Sequence, residues 1–159
     1  MGQTAMRDTI DLGFSEAELR ALAANLHLLD PDEAEEVEKL LEELETRTKR
    51  EAAHNDLISF CLYMDPNYKV GRHHRILADK LMELESGIED RATVNMPPRH
   101  GKSELTSKYF PAWFIGRNPT KKLMMVSHTT DLAVDFGRKV RNLIDDPKFQ
   151  DRSQMQPHF

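Results

Sequence analysis

The sequence predicts an α/β chain in which an acidic α-helical N-terminal segment precedes the opening part of a parallel sheet. Three observations predict it. Two short apolar segments, 92–96 and 122–127, alternate with stretches whose apolar residues recur at helical spacing. A Gly-Lys-Ser sequence stands in the loop between the first of these segments and the helix after it. The charge also changes sign along the chain. Residues 1–60 hold 15 Asp/Glu against 6 Lys/Arg, a balance of −9, and residues 61–159 hold 12 against 16, a balance of +4. Strand, loop, helix, strand, helix is the order of a parallel sheet whose crossovers are helices. The charge asymmetry suggests two units with different partners, and the helical pattern sets them as an acidic extension, 1–53, and the remainder, 54–159. An acidic front repels nucleic acid, whereas the basic remainder suits phosphates.

Taken in order, Ser15 with Glu18 three residues later forms a capping box, and Leu19, Leu22, Ala23 and Leu26 follow at helical spacing. Asp30-Pro31-Asp32-Glu33 starts a second helix, with proline at its first position and acids in its first turn. Its apolar stripe is Val37, Leu40, Leu41 and Leu44. That stripe reads either as the seam of two antiparallel helices or as a docking face for another protein. A third helix covers His54 to Tyr63 with Leu57, Ile58, Phe60 and Cys61, and Asp65-Pro66-Asn67 breaks it. A fourth begins near His74, carries Ile76, Leu77, Leu81 and Leu84, and closes at Gly87.

Beyond Gly87 the pattern changes. Ala92-Thr93-Val94-Asn95-Met96 is short, β-prone and followed by Pro97-Pro98. A helix is expected from about Lys102 to near Pro111, because proline in a helix interior removes a hydrogen bond and crowds a carbonyl. Lys122-Leu123-Met124-Met125-Val126-Ser127 is a nearly continuous apolar run, which predicts a strand covered on both faces. Thr130 then caps a long helix whose core face is Leu132, Phe136, Val140, Leu143 and Ile144.

Composition removes several classes of function. The chain has 159 residues, 39% hydrophobic and 31% charged, which suits one globular domain. No apolar run approaches the roughly 20 residues that cross a bilayer, so no membrane partner is expected. The N-terminus has no basic stretch leading into an apolar one, so no secretion signal is expected. Cys61, the single cysteine, cannot form an internal disulfide and reads as a small buried hydrophobe.

The chemistry lies in Pro98-Arg99-His100-Gly101-Lys102-Ser103-Glu104, where a strand is expected to end and a helix to begin. A phosphate loop needs that context. Gly101 lets the backbone turn so that successive amide hydrogens face one anion. The helix N-terminus adds the positive end of its dipole. Lys102 neutralises β- and γ-phosphates, and the Ser103 hydroxyl is a magnesium ligand. The usual pattern has glycine where this chain has Met96, and the two prolines stiffen the loop instead. His73 and His74 do not form a metal site, because adjacent residues point apart on a helix.

The segment MPPRHGKSE resembles the phosphate loop of phage terminase large subunits. So do GRHHRILADKLMELESGIEDRATVN before it, and FPAWFIGRNPTKKLMMVSH and FGRKVRNLIDDPKF after it, from about Asp65 to Phe149. Residues 1–60 take no part. The resemblance implies a P-loop (RecA-like) motor domain that hydrolyses ATP with Mg²⁺ to pump double-stranded DNA into a capsid, followed by a nuclease domain. It implies a small terminase subunit, a portal protein and a homo-oligomeric ring as partners, in the cytoplasm of the host cell. By position it makes Arg99 and Lys102 catalytic, with Arg99 on the γ-phosphate. It makes Pro98 through Glu104 nucleotide contacts, puts His74 and Arg75 on the adenine side, and gives Ser103 to the metal.

A complete motor of that type also needs an apolar strand ending in Asp and Glu, to hold magnesium and activate water. None is present. Leu143-Ile144-Asp145-Asp146 ends a helix, and Glu104 is not at the expected position. The chain is therefore expected to be the front piece of such a protein, an ATP-binding segment without turnover of its own. Two other readings stand beside it. One is a non-catalytic module that binds a partner through its acidic helices. The other is a different P-loop enzyme such as a helicase.

Overall fold

The computed structural model describes residues 16–150, and every regular element among them is helical. In chain order these are α1 (Glu16–Ala23), a 3₁₀ turn (Leu26–Leu28), α2 (Pro31–Asn55), α3 (Leu57–Met64) and α4 (Arg72–Ser86). Then come α5 (Lys102–Glu104), a π-turn (Leu105–Tyr109), α6 (Phe110–Arg117), α7 (Thr130–Ile144) and α8 (Pro147–Gln150). They fall into two compact units divided between Lys49 and Arg50, inside α2. Ser15, and the side chains of Leu19 and Leu26, on which the expected first helix rests, lie outside the described residues.

The α/β expectation is corrected: no strand and no sheet occur among the described residues. Residues 91–97 and 122–127 run as irregular chain without a ladder. A strand exists only by hydrogen bonding to a neighbour, and these segments are held by side-chain contact instead. Val94, Met96 and Met125 lie half-buried against the helical core. Met124 and Val126, between and beyond them, are 86% and 83% exposed. The apolar run 122–127 is therefore covered on one face, not two.

The helix boundaries follow local chemistry. α2 opens at Pro31, whose fixed φ suits a first helical position, with Asp32 and Glu33 at the positive end of the dipole. Asp56 caps α3, its Oδ2 accepting from the Ser59 N–H at 2.6 Å. α4 ends at Gly87, which takes the left-handed conformation at φ 76° and donates back to Glu83 and Leu84 carbonyls. Thr129, not Thr130, precedes α7, and it makes no side-chain cap bond.

The helix after the loop does not stop near Pro111. Helical backbone runs from Lys102 through Arg117 by way of the π-turn, in which the Phe110 N–H reaches back to the Leu105 carbonyl. Proline has no N–H to place and its ring crowds the carbonyl four residues back. A wider turn just ahead of it relieves that crowding, so Pro111 opens α6 instead of ending the helix.

The core of the second unit gathers Leu57, Phe60 and Cys61 of α3, Leu77, Ala78 and Leu81 of α4, and Leu105, Tyr109, Ala112 and Trp113. Tyr109 is 1% exposed, and burying such a ring contributes roughly 1.5–3 kcal/mol. The C-terminal end of α2 is closed by partners from α6. Trp113 Nε1–H donates to the Ala53 carbonyl at 3.0 Å, and an Arg117 guanidinium N–H donates to the His54 carbonyl at 2.7 Å. These are among the last four carbonyls of the helix, which have no acceptor role within it. Arg117 also pairs with Glu85 at 3.3 Å and stacks over the Trp113 ring at 4.8 Å. Cys61 is buried, and that burial, with Glu104 and Asp56 nearby, pushes its thiol far above the ordinary range.

Candidate phosphate-binding loop

Pro98 and Arg99 form a turn, and Gly101 is the N-cap of the helical run that starts at Lys102. Two residues of the loop hold the left-handed conformation, Arg99 at φ 62° and Gly101 at φ 72°. For Arg99 that conformation costs roughly 1–2 kcal/mol, so the surroundings must hold it. Part of the hold is His100, whose Nδ1–H donates to the Pro98 carbonyl at 2.8 Å and closes the turn.

Gly101 offers no side chain to accept from the first helical amides. The first N–H groups of a helix have no carbonyl partner within it, so donors from Gly101 to Glu104 point out of the helix end together. The first bond of the run is Leu105 N–H to Gly101 C=O, 3.0 Å. Arranged amides of this kind, at a positive dipole end, fit an anion with several oxygens. Beside them stand Lys102, half-buried, and Ser103, exposed. The side chains of Arg99 and Lys102 make no hydrogen bond or ion pair among the described residues. Glu104 pairs with Lys108 at 3.3 Å, and Thr106 Oγ1–H donates to the Lys102 carbonyl at 2.9 Å. ATP phosphates with Mg²⁺ fit this donor set: amides, one lysine, one arginine and one hydroxyl.

The structure brings one upstream residue to the loop and leaves another at the surface. His74, 8% exposed, sits in the first turn of α4 directly beneath the loop. The Gly71 N–H donates to its Nδ1 at 3.0 Å, and its Nε2 meets the His100 carbonyl at 3.0 Å. A backbone N–H can only donate and a carbonyl only accept, so Nδ1 is bare and Nε2 carries the proton. Burial first, then the neighbouring His73, pushes this imidazole below its ordinary pKa; the bond to His100 and the charge of Glu104 pull the other way. Arg75 is exposed and makes no such contact among the described residues. His73 is exposed, its ring 4.0 Å from that of His74 and 5.9 Å from that of His100.

Two residues that the sequence does not single out support this corner. Tyr68 lays its ring 5.6 Å from His74 and 5.3 Å from Tyr109. Its hydroxyl is buried with no hydrogen-bond partner among the described residues, and burial pushes the phenol well above its usual range. The only sequence signal for the corner is the Gly71-to-His74 spacing, the reach of a capping box.

At the other end of the chain, Asp145 ends α7, and Asp146 Oδ1 accepts from the Lys148 N–H at 2.9 Å to open α8. This acidic pair therefore serves helix ends. Among the described residues no group of three His, Cys, Asp or Glu is placed to hold a metal ion. No helix among them is long and apolar enough to cross a membrane. Comparison with protein-family models, with curated proteins and with solved structures finds no significant match.

Proposed function

We propose that the loop from Pro98 to Ser103 binds the triphosphate of ATP with Mg²⁺, as the nucleotide-binding segment of a DNA-packaging motor of the terminase large-subunit type. The observation that carries the nucleotide reading is the left-handed, uncapped Gly101 at the start of a helical run. It presents a row of amide donors with Lys102, Ser103 and Arg99 beside them. In this reading Lys102 neutralises the β/γ-phosphates, Ser103 holds the metal, and Arg99 meets charge that develops at the γ-phosphate. The motor reading rests on the resemblance of residues 65–149 to that family. With it come double-stranded DNA, a small subunit, a portal and a ring of copies as partners, in the cytoplasm of a phage's host.

The test is nucleotide binding and ATP turnover by the 159-residue chain, with Lys102→Ala beside it. Mg²⁺-dependent binding that Lys102→Ala weakens by roughly two orders of magnitude is expected, from the loss of a charge-assisted contact worth up to about 3 kcal/mol. Turnover no faster than in Lys102→Ala is also expected, since no apolar segment ending in an acidic pair is at hand. Equal binding by both chains would sink the reading.

A further inference from the structure

We propose that His74 is the positioning residue of this loop: it fixes the direction of the Gly101 N–H by holding the His100 carbonyl. The proposal rests on the nucleotide reading for its functional meaning, and on geometry for the rest. His74 Nε2–H donates to the His100 carbonyl at 3.0 Å, across 26 residues of chain. The ring is itself anchored at the other nitrogen by the Gly71 N–H, 3.0 Å away, at the start of α4. It is thus a strut with one end on a helix and the other on the loop.

The carbonyl of His100 and the N–H of Gly101 belong to one peptide unit. None of the peptide bonds among the described residues is cis. In a trans unit C=O and N–H point in opposite directions. Drawing the His100 carbonyl down onto His74 therefore turns the Gly101 N–H up, away from the ring. It then joins the other amide donors at the helix end. The strut also explains why residue 101 has no side chain. A Cβ there would stand 2.4 Å from His74 Nε2, inside any tolerable contact, in addition to the strain of φ 72°. Tyr68 backs the ring and rests on Tyr109 of the π-turn, so the strut has a packed footing.

Two substitutions separate the two ends of the strut. The Gln terminal nitrogen lies where Nε2 does, so His74→Gln keeps the donor to His100 and loses the acceptor for Gly71. The Asn side-chain oxygen lies near Nδ1, so His74→Asn keeps the bond to Gly71 and loses the loop. Binding of a methylanthraniloyl-ATP probe with Mg²⁺ to the full chain is measured for wild type, both variants and Lys102→Ala, along with thermal midpoints. Asn should weaken binding roughly tenfold and Gln by no more than about threefold, the scale of one hydrogen bond, at comparable thermal midpoints. The Gly101 amide signal in a proton–nitrogen correlation spectrum reads the same contrast without nucleotide: Asn shifts it and Gln leaves it nearly in place. Binding lost in Lys102→Ala but retained in His74→Asn overturns the role of His74 and leaves the nucleotide reading intact. Equal shifts of the Gly101 signal in both variants also overturn it. Unequal shifts in a chain that binds no nucleotide sustain the strut and sink the nucleotide reading.

Discussion

His74 cannot take up a second ring proton without turning its bond to Gly71 into a clash of two donors. Its folded pKa lies below the ordinary imidazole value, with burial and His73 lowering it and Glu104 and the His100 carbonyl opposing them. His100 itself, as a second imidazole facing the ring, adds to the lowering. The sign of the pH effect follows. Below about pH 6.5 the unfolded chain binds a proton here that the folded chain refuses, so stability falls as pH drops toward the folded value and is complete above about 6.5. Urea midpoints should therefore be lower at about pH 5 than at about pH 7.5, and His74→Gln should flatten that slope. An unchanged slope in His74→Gln would assign it to other groups. Gly101→Ala is the second residue-scale prediction. The left-handed φ alone costs about 1–2 kcal/mol, and the approach to His74 adds to it, so a fall in thermal midpoint of several degrees is expected. The loop's place in the chain is legible from Gly101-Lys102-Ser103, since those residue types state their own chemistry. The part played by His74 is not, because its acceptor arrives from 26 residues away and only folding brings it there.

Among elements, those that end on a residue with a single conformational role are readable from sequence. Pro31 opens α2 and Gly87 closes α4, each through its own backbone, whereas the break at Asp56, which caps α3, falls inside the helix expected from His54 to Tyr63. Gly87→Ala isolates that role, because a Cβ at Gly87 meets nothing within 4 Å. Its cost should be the conformational one alone, about 1 kcal/mol, read from a denaturant midpoint with unchanged slope. Elements that depend on a partner are not readable in this way. An apolar run such as 122–127 has the same composition whether a ladder forms or not, and only neighbours decide it. The π-turn escapes for a related reason: Pro111 signals that a normal helix cannot continue, but not how the chain goes around it. Trp113→Phe tests the closure of α2. It removes the donor to the Ala53 carbonyl while keeping most of the ring, and should cost about 1–3 kcal/mol in urea unfolding.

For the molecule, the boundary between the two units is the informative line. The sequence pattern places a divide after residue 53, whereas compactness places it between Lys49 and Arg50. The four residues between matter. Arg50 Nε–H donates to the Tyr63 hydroxyl at 3.0 Å, and Ala53, 2% exposed, is part of the core. A chain starting at residue 50 should keep its cooperative melt. A chain starting at residue 56 loses the acceptors of Trp113 and Arg117 and should melt several degrees lower or without a sharp transition. Equal melting of the two would show that the end of α2 is dispensable. Composition can place such a divide only coarsely, because it registers charge and not which carbonyl is capped.

Trp113 is the chain's single tryptophan, 3% exposed, and lies on the helical run that begins at Lys102. The protein therefore carries one built-in optical reporter. Its emission should be that of an indole shielded from water, and a red shift is expected when α6 leaves the end of α2. No label is needed to watch that separation, and no second indole blurs the signal.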